Sequence, residues 1–138
     1  MLPRLLLLTS IALAPAATVV QAQPVQDQLK TSGQVTYVSG GVGEDSAERI
    51  QALNKDFNLK LLFALKDGHY IADVAVAISD MHGGKMLDAV SEGPWFLAKL
   101  ARGKYQITAA YAGKSFTRET KIATTGQREL IFRWESND

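Results

Sequence analysis

The 138-residue chain carries 15 Lys and Arg against 14 Asp and Glu and contains no cysteine. That length allows one domain with a sizeable core and leaves little room for a second. The near-neutral balance supplies no basic field for a nucleic-acid backbone. The missing thiols exclude disulfides, Cys-ligated metals, cysteine nucleophiles and a lipid-modified N-terminal Cys.

Residues 1–22 have the layout of a secretory signal peptide. Arg4 gives a positive start, Leu5–Leu8 and Ile11–Ala14 an apolar centre, and Val20-Gln21-Ala22 the small residues of a cleavage site. Cleavage is expected between Ala22 and Gln23. The apolar centre falls short of the ~20 residues that span a bilayer, and Pro15 interrupts it. The mature chain is therefore expected to be periplasmic or secreted, with no membrane span. Losing Arg4 leaves it with 14 basic and 14 acidic side chains. Residues 23–32 are Gln-rich with one Pro and read as a flexible lead-in. A single domain is expected over 33–134, followed by a tail at 135–138.

Val35–Val38 is β-branched and aromatic, which predicts a strand. It runs into Ser39-Gly40-Gly41-Val42-Gly43, a turn. Ala47, Ile50, Leu53 and Phe57 then recur at three- and four-residue steps, which predicts a short helix over about 45–57. Asp45 is placed to cap it, with Glu48 returning a bond to the cap. Leu59–Leu65 is almost wholly apolar and reads as a buried strand, although periodicity alone leaves a continuing helix open. Lys66-Asp67-Gly68-His69 predicts an Asp-Gly hairpin turn into a long strand, Tyr70–Ser79. In it Val74, Val76 and Ile78 share one face. A turn at Asp80–Gly84 leads to a short strand, Lys85–Ser91.

The stretch from Gly93 to Ile107 reads as the central hairpin. Trp95–Leu100 is an apolar run, Arg102-Gly103 a turn, and Lys104–Tyr111 an alternating strand with Tyr105, Ile107, Ala109 and Tyr111 on one face. Two further strands follow. Lys114–Ile122 turns Phe116 and Ile122 inward, and Gln127–Trp134 turns Leu130, Phe132 and Trp134 inward. Strands at this spacing with glycine turns between them predict a mainly β, antiparallel sandwich of about eight strands.

Several stretches carry a family likeness: Ala72–Asp80, the Gly83-Gly84 turn, Phe96, Leu100-Ala101-Arg102-Gly103-Lys104-Tyr105 and Tyr111-Ala112-Gly113-Lys114. Together they make residues 71–134 resemble the carboxypeptidase regulatory-like domain, a transthyretin-like (prealbumin-like) β-sandwich. Ala101 stands where that family usually has Pro. The resemblance implies the sandwich fold and a small secreted or appended module. It implies no activity. Some transthyretin-like proteins hydrolyse 5-hydroxyisourate with a C-terminal Tyr-Arg-Gly-Ser, and Phe132-Arg133-Trp134-Glu135-Ser136 departs from that pattern.

No constellation in the chain carries catalysis. The Ser39–Gly43 loop matches neither glycine-rich phosphate motif, and Glu44, Asp45 and Glu48 would repel a phosphate at that helix start. Ser79 or Ser91 with His82 and Asp80 lacks the surroundings of a nucleophile. Met81, His82 and Met86 are the candidate soft-metal ligands. Trp95, Trp134, Tyr37, Tyr70 and Tyr111 raise carbohydrate binding on an aromatic platform, but Trp134 and Tyr111 alternate with core positions. Trp95, after Gly93-Pro94, is the candidate ligand contact. The expected function is a non-enzymatic exported module without a cofactor. It would bind a protein or cell-envelope component through a sheet edge or through the loop end near Gly40–Gly43 and Gly93–Trp95. The alternatives are glycan or small-molecule binding on Trp95, and metal binding by Met81 and His82.

Overall fold

The structure is a computed structural model that describes residues 12, 14, 15 and 26–136. The Ala22–Gln23 junction and most of residues 1–22 lie outside the described residues. Within them the chain is mainly β. In order it forms β1 (Lys30–Ser32), β2 (Val35–Gly40), α1 (Glu44–Leu53) and a single 3-10 turn (Asn54–Asp56). Then follow β3 (Leu59–Leu65), β4 (Val74–Asp80), β5 (Lys85–Ser91), β6 (Trp95–Lys99), β7 (Gly103–Tyr111), β8 (Lys114–Ile122) and β9 (Arg128–Trp134). The strands make two sheets, of order β1-β2-β6-β3-β9 and β5-β4-β7-β8, stacked as a sandwich. No helix among the described residues is long and apolar enough to cross a bilayer.

The core lies between the sheets. Leu59, Leu61 and Phe63 of β3, Phe96 and Ala98 of β6, and Phe132 and Trp134 of β9 face Val74, Val76 and Ile78 of β4 and Ile107 and Ala109 of β7. Each such aliphatic or aromatic side chain contributes about 1.5–3 kcal/mol on burial. The four-stranded sheet is wet on its outer side, so its strands alternate cleanly. The five-stranded sheet is covered on both sides only around β2, β6 and β3. Ile50 of α1 and Phe57 lie on Val38 and Leu97 of its outer face. Two-sided burial explains why β3 and β6 read as continuous apolar runs.

Two seams close the sandwich. At one, Trp134 packs among Phe63, Tyr111, Phe116 and Phe132 and donates its indole N–H to Lys114 O at 2.9 Å. At the other, Glu92 N donates to Ser39 Oγ at 3.0 Å and the Glu92 carboxylate pairs with Lys30 at 2.9 Å.

Nine strands form among the described residues, and several expected features differ. Residues 93–107 are not a hairpin. β6 pairs with β2 and β3, whereas β7 pairs with β4 and β8. The chain crosses between sheets at Leu100–Arg102, because a strand buried on both faces must sit inside the doubly covered sheet. The Asp67-Gly68 turn forms, with Gly68 N bonded to Leu65 O at 3.0 Å. It joins the two sheets rather than two paired strands, and only Ala64 and Tyr70 bridge across it. β4 accordingly starts at Val74, after Asp73 turns the chain with φ of 61°. β3 is a strand, and its pairing with β9 is parallel. β1 falls in the stretch read as a lead-in, held to β2 by backbone bonds that need no apolar pattern. The helix is shorter than expected. Gly43, not Asp45, stands at its N-cap, and Asp45 lies in the first turn.

Candidate functional site

β2, β3 and β6 converge at one end of the five-stranded sheet, where Trp95 stands opposite Gly40 on one side and Leu62 on the other. That register directs the indole to the outer face, just beyond the patch that α1 covers. The absence of a side chain at Gly41 makes room for it. Gly41 has φ of 103°, and a methyl there would run into indole Cδ1. Tyr70, set by its bridge to Ala64, lies beside Trp95 with ring centroids 6.3 Å apart and planes tilted by 53°. Tyr70 is 63% exposed. The Lys60 ammonium sits over the indole, 4.4 Å from the ring centroid. The parallel register sets Lys60 opposite Glu129. Among the described residues Lys60 nevertheless has no carboxylate within ion-pair distance, so its charge is directed onto the ring. A cation held on an aromatic face in this way contributes about 0.5–1 kcal/mol at an exposed site.

The loop beside this corner is held rigidly. Gln26 clasps Val42, with its Nε2 donating to Val42 O at 2.9 Å and its Oε1 accepting from Val42 N at 3.1 Å. Asp27 N donates to Ser39 O at 2.8 Å. The Asp27 carboxylate accepts from the Ser46 hydroxyl and pairs with Arg49 at 2.9 Å. Ser46 Oγ in turn accepts from Gly41 N at 2.7 Å. One carboxylate thus ties the N-terminal segment, the glycine loop and α1 together. On the far side, the backbone and side-chain N–H groups of His69 hold the Asp67 carboxyl below the usual carboxylate range.

The other candidates are dispersed. Met86 packs against the core, while Met81 and His82 are exposed on the β4–β5 turn. Asp80 organises that turn by accepting from His82 N at 2.9 Å and Gly84 N at 2.8 Å. No group of three or more His, Asp or Glu converges on one point among the described residues. Ser91 is buried and donates to Gly93 O at 2.7 Å. It pairs with Val74 at the opposite end of β4 from Asp80. Strand geometry separates these ends by about 20 Å, so Ser91, His82 and Asp80 do not meet. Trp134 is core, as its alternation predicts. Lys60 was not legible as a contributor, because a lone Lys in an apolar strand reads only as an outward position. Tyr70 follows a glycine turn, and that placement is its only signal.

Comparison with protein-family models finds no match, and neither does comparison with curated proteins.

Proposed function

We propose that this chain is a non-enzymatic binding module of the cell envelope, and that it engages an envelope component through the Tyr70–Trp95 corner. The observation that carries this is an exposed tyrosine laid against a half-buried tryptophan under an unpaired lysine, beside a loop fixed by Asp27. Rigid aromatic anchors give large contact area at little cost in side-chain entropy, the usual make-up of a recognition hot spot. The signal-like residues 1–22 support an exported location. Capture from an envelope extract tests the reading. The wild-type chain should retain a component that Tyr70→Ala loses, and equal retention by the two would refute it.

A second reading is favoured by the aromatic pair itself. An exposed ring beside a half-buried one, with a neighbouring cation, suits the stacking of a sugar ring. Glycan titrations followed by tryptophan fluorescence should then show quenching that Trp95→Ala abolishes. A flat response across neutral and acidic glycans would exclude this version and leave a protein component.

A further inference from the structure

The end of the sandwich opposite Tyr70 and Trp95 carries cations that no ion pair engages among the described residues. Lys104 of β7 stands directly opposite Lys121 of β8 on the outer face of the four-stranded sheet. Like charges in that position oppose folding. Arg102 lies in the crossing loop beside them, and His82 and Met81 project from the neighbouring turn, where they line one shallow depression with Asp80, Arg102 and Lys104. Lys55 and Lys99 line a second depression at the same end. Among the described residues five ion pairs form: Lys30–Glu92, Arg49–Asp27, Lys66–Glu135, His69–Asp67 and Lys85–Asp88. None involves Lys55, Lys99, Arg102, Lys104 or Lys121. Asp80, Asp56 and Glu119 share this end but stand outside ion-pair distance of these cations. Asp80 is occupied within its turn, Glu119 stands across from Gln106, and Asp56 lies in the 3-10 turn. Met81 is 43% exposed at the tip of the β4–β5 turn and is the one large exposed apolar side chain at this end among the described residues.

We propose that this end docks on a membrane surface rich in anionic phospholipid. The turn tip places Met81 at the headgroup boundary, and Arg102, Lys104 and Lys121 meet the phosphates around it. A basic collar around an apolar tip matches both layers of such an interface: charge for the headgroups and a polarisable thioether for the acyl boundary. The pairing of Lys104 with Lys121 costs stability in the free protein and is relieved when anionic headgroups lie between them.

The test uses the full chain with vesicles of phosphatidylcholine alone or mixed with phosphatidylglycerol, so that any apolar attraction of residues 1–22 is common to both. Binding should favour the anionic vesicles and weaken as salt is raised. Lys104→Gln combined with Lys121→Gln should cut the preference by about 30-fold, at roughly fivefold per charge near the surface. The double variant removes a repulsion, so it should melt no lower than wild type and its loss of binding cannot be misfolding. Lys66→Gln with Lys114→Gln, at the other end, should leave the preference intact. Equal binding to the two vesicle types, or equal losses from the two double variants, would overturn the proposal. So would binding to soluble dextran sulfate without binding to anionic vesicles.

Discussion

Two residues show how a single atom sets local architecture. Gly93 turns β5 into β6 against the backbone of β2, and a methyl on it would overlap the Gly40 carbonyl and sit 2.7 Å from Gly40 Cα. Its φ is not in the left-handed region, so the requirement is for space and not for an unusual backbone angle. Both neighbours are main chain and cannot rotate away. Gly93→Ala is expected to lower stability by about 1–3 kcal/mol, the cost of overpacking, read as a shift in the urea midpoint. Tyr105 is the second case. Its ring is buried at the start of β7, and its hydroxyl donates to Ala101 O at 2.6 Å, pinning the loop that crosses between sheets. Burial first, and the nearby Asp80 carboxylate second, push the Tyr105 phenol above its ordinary value of 10.0. The folded state therefore holds this proton more tightly than the unfolded chain does. The resulting stability is complete below pH 10 and is lost as pH rises through the folded value. Tyr105→Phe should cost about 1 kcal/mol at neutral pH, from the lost bond to a carbonyl left without it. It should also flatten the alkaline limb of the stability profile, and an unchanged limb would assign that pH dependence elsewhere.

At the scale of elements, the helix and the sheet it covers form a separable layer. α1 has ten residues, too few to persist alone, and it holds on through Ile50, with Phe57 completing the patch on Val38 and Leu97. Ile50→Ala should cost about 2–4 kcal/mol. Its effect should be uneven: hydrogen exchange should accelerate in α1 while the amides of β4 and β7 keep their protection. Uniform acceleration would mean that the helix and the sandwich unfold as one unit. The same layering explains what could be read in advance. β4, β7, β8 and β9 each bury one side, so Val74, Val76 and Ile78, or Tyr105, Ile107 and Ala109, declare their faces by alternation. β3 and β6 bury both, and their apolar runs announce strands without announcing partners. Pairing is a long-range matter that local pattern does not encode. A glycine turn at Arg102-Gly103 looks the same whether the chain folds back or crosses to another sheet. Two-residue hairpins lie instead at Gly33-Gln34 and at Ala112-Gly113, and in the second both residues have positive φ. β1 escaped because Lys30, Thr31 and Ser32 contribute backbone bonds and no apolar surface. At the candidate site Trp95 was legible from its place after Gly93-Pro94. Its partners were not, because Tyr70 and Lys60 reach it from β3 and the following turn, 25 or more positions away in sequence.

For the whole molecule, the strands impose a polarity. Every strand of the sandwich runs between the end that carries Gly41, Tyr70 and Trp95 and the end that carries Met81, Arg102 and Lys104. A nine-residue strand such as β7 spans about 30 Å between them. Among the described residues four of the five ion pairs lie toward the aromatic end, and none engages Lys55, Lys99, Arg102, Lys104 or Lys121 at the opposite end. A bilayer that attracts the basic end therefore holds the aromatic corner away from the surface, facing a partner in solution or in a neighbouring layer. The two proposed surfaces are compatible only in that orientation, and the two tryptophans report on it. Trp134 is buried and shielded from a water-borne quencher, whereas Trp95 is half-buried at the distal corner. Acrylamide quenching of the chain bound to anionic vesicles should match that of the free chain, because Trp95 stays in water. Protection of Trp95 on the vesicles would place the aromatic corner against the lipid and reverse the orientation. The Lys104→Gln, Lys121→Gln variant would then bind as well as wild type, while Tyr70→Ala would not.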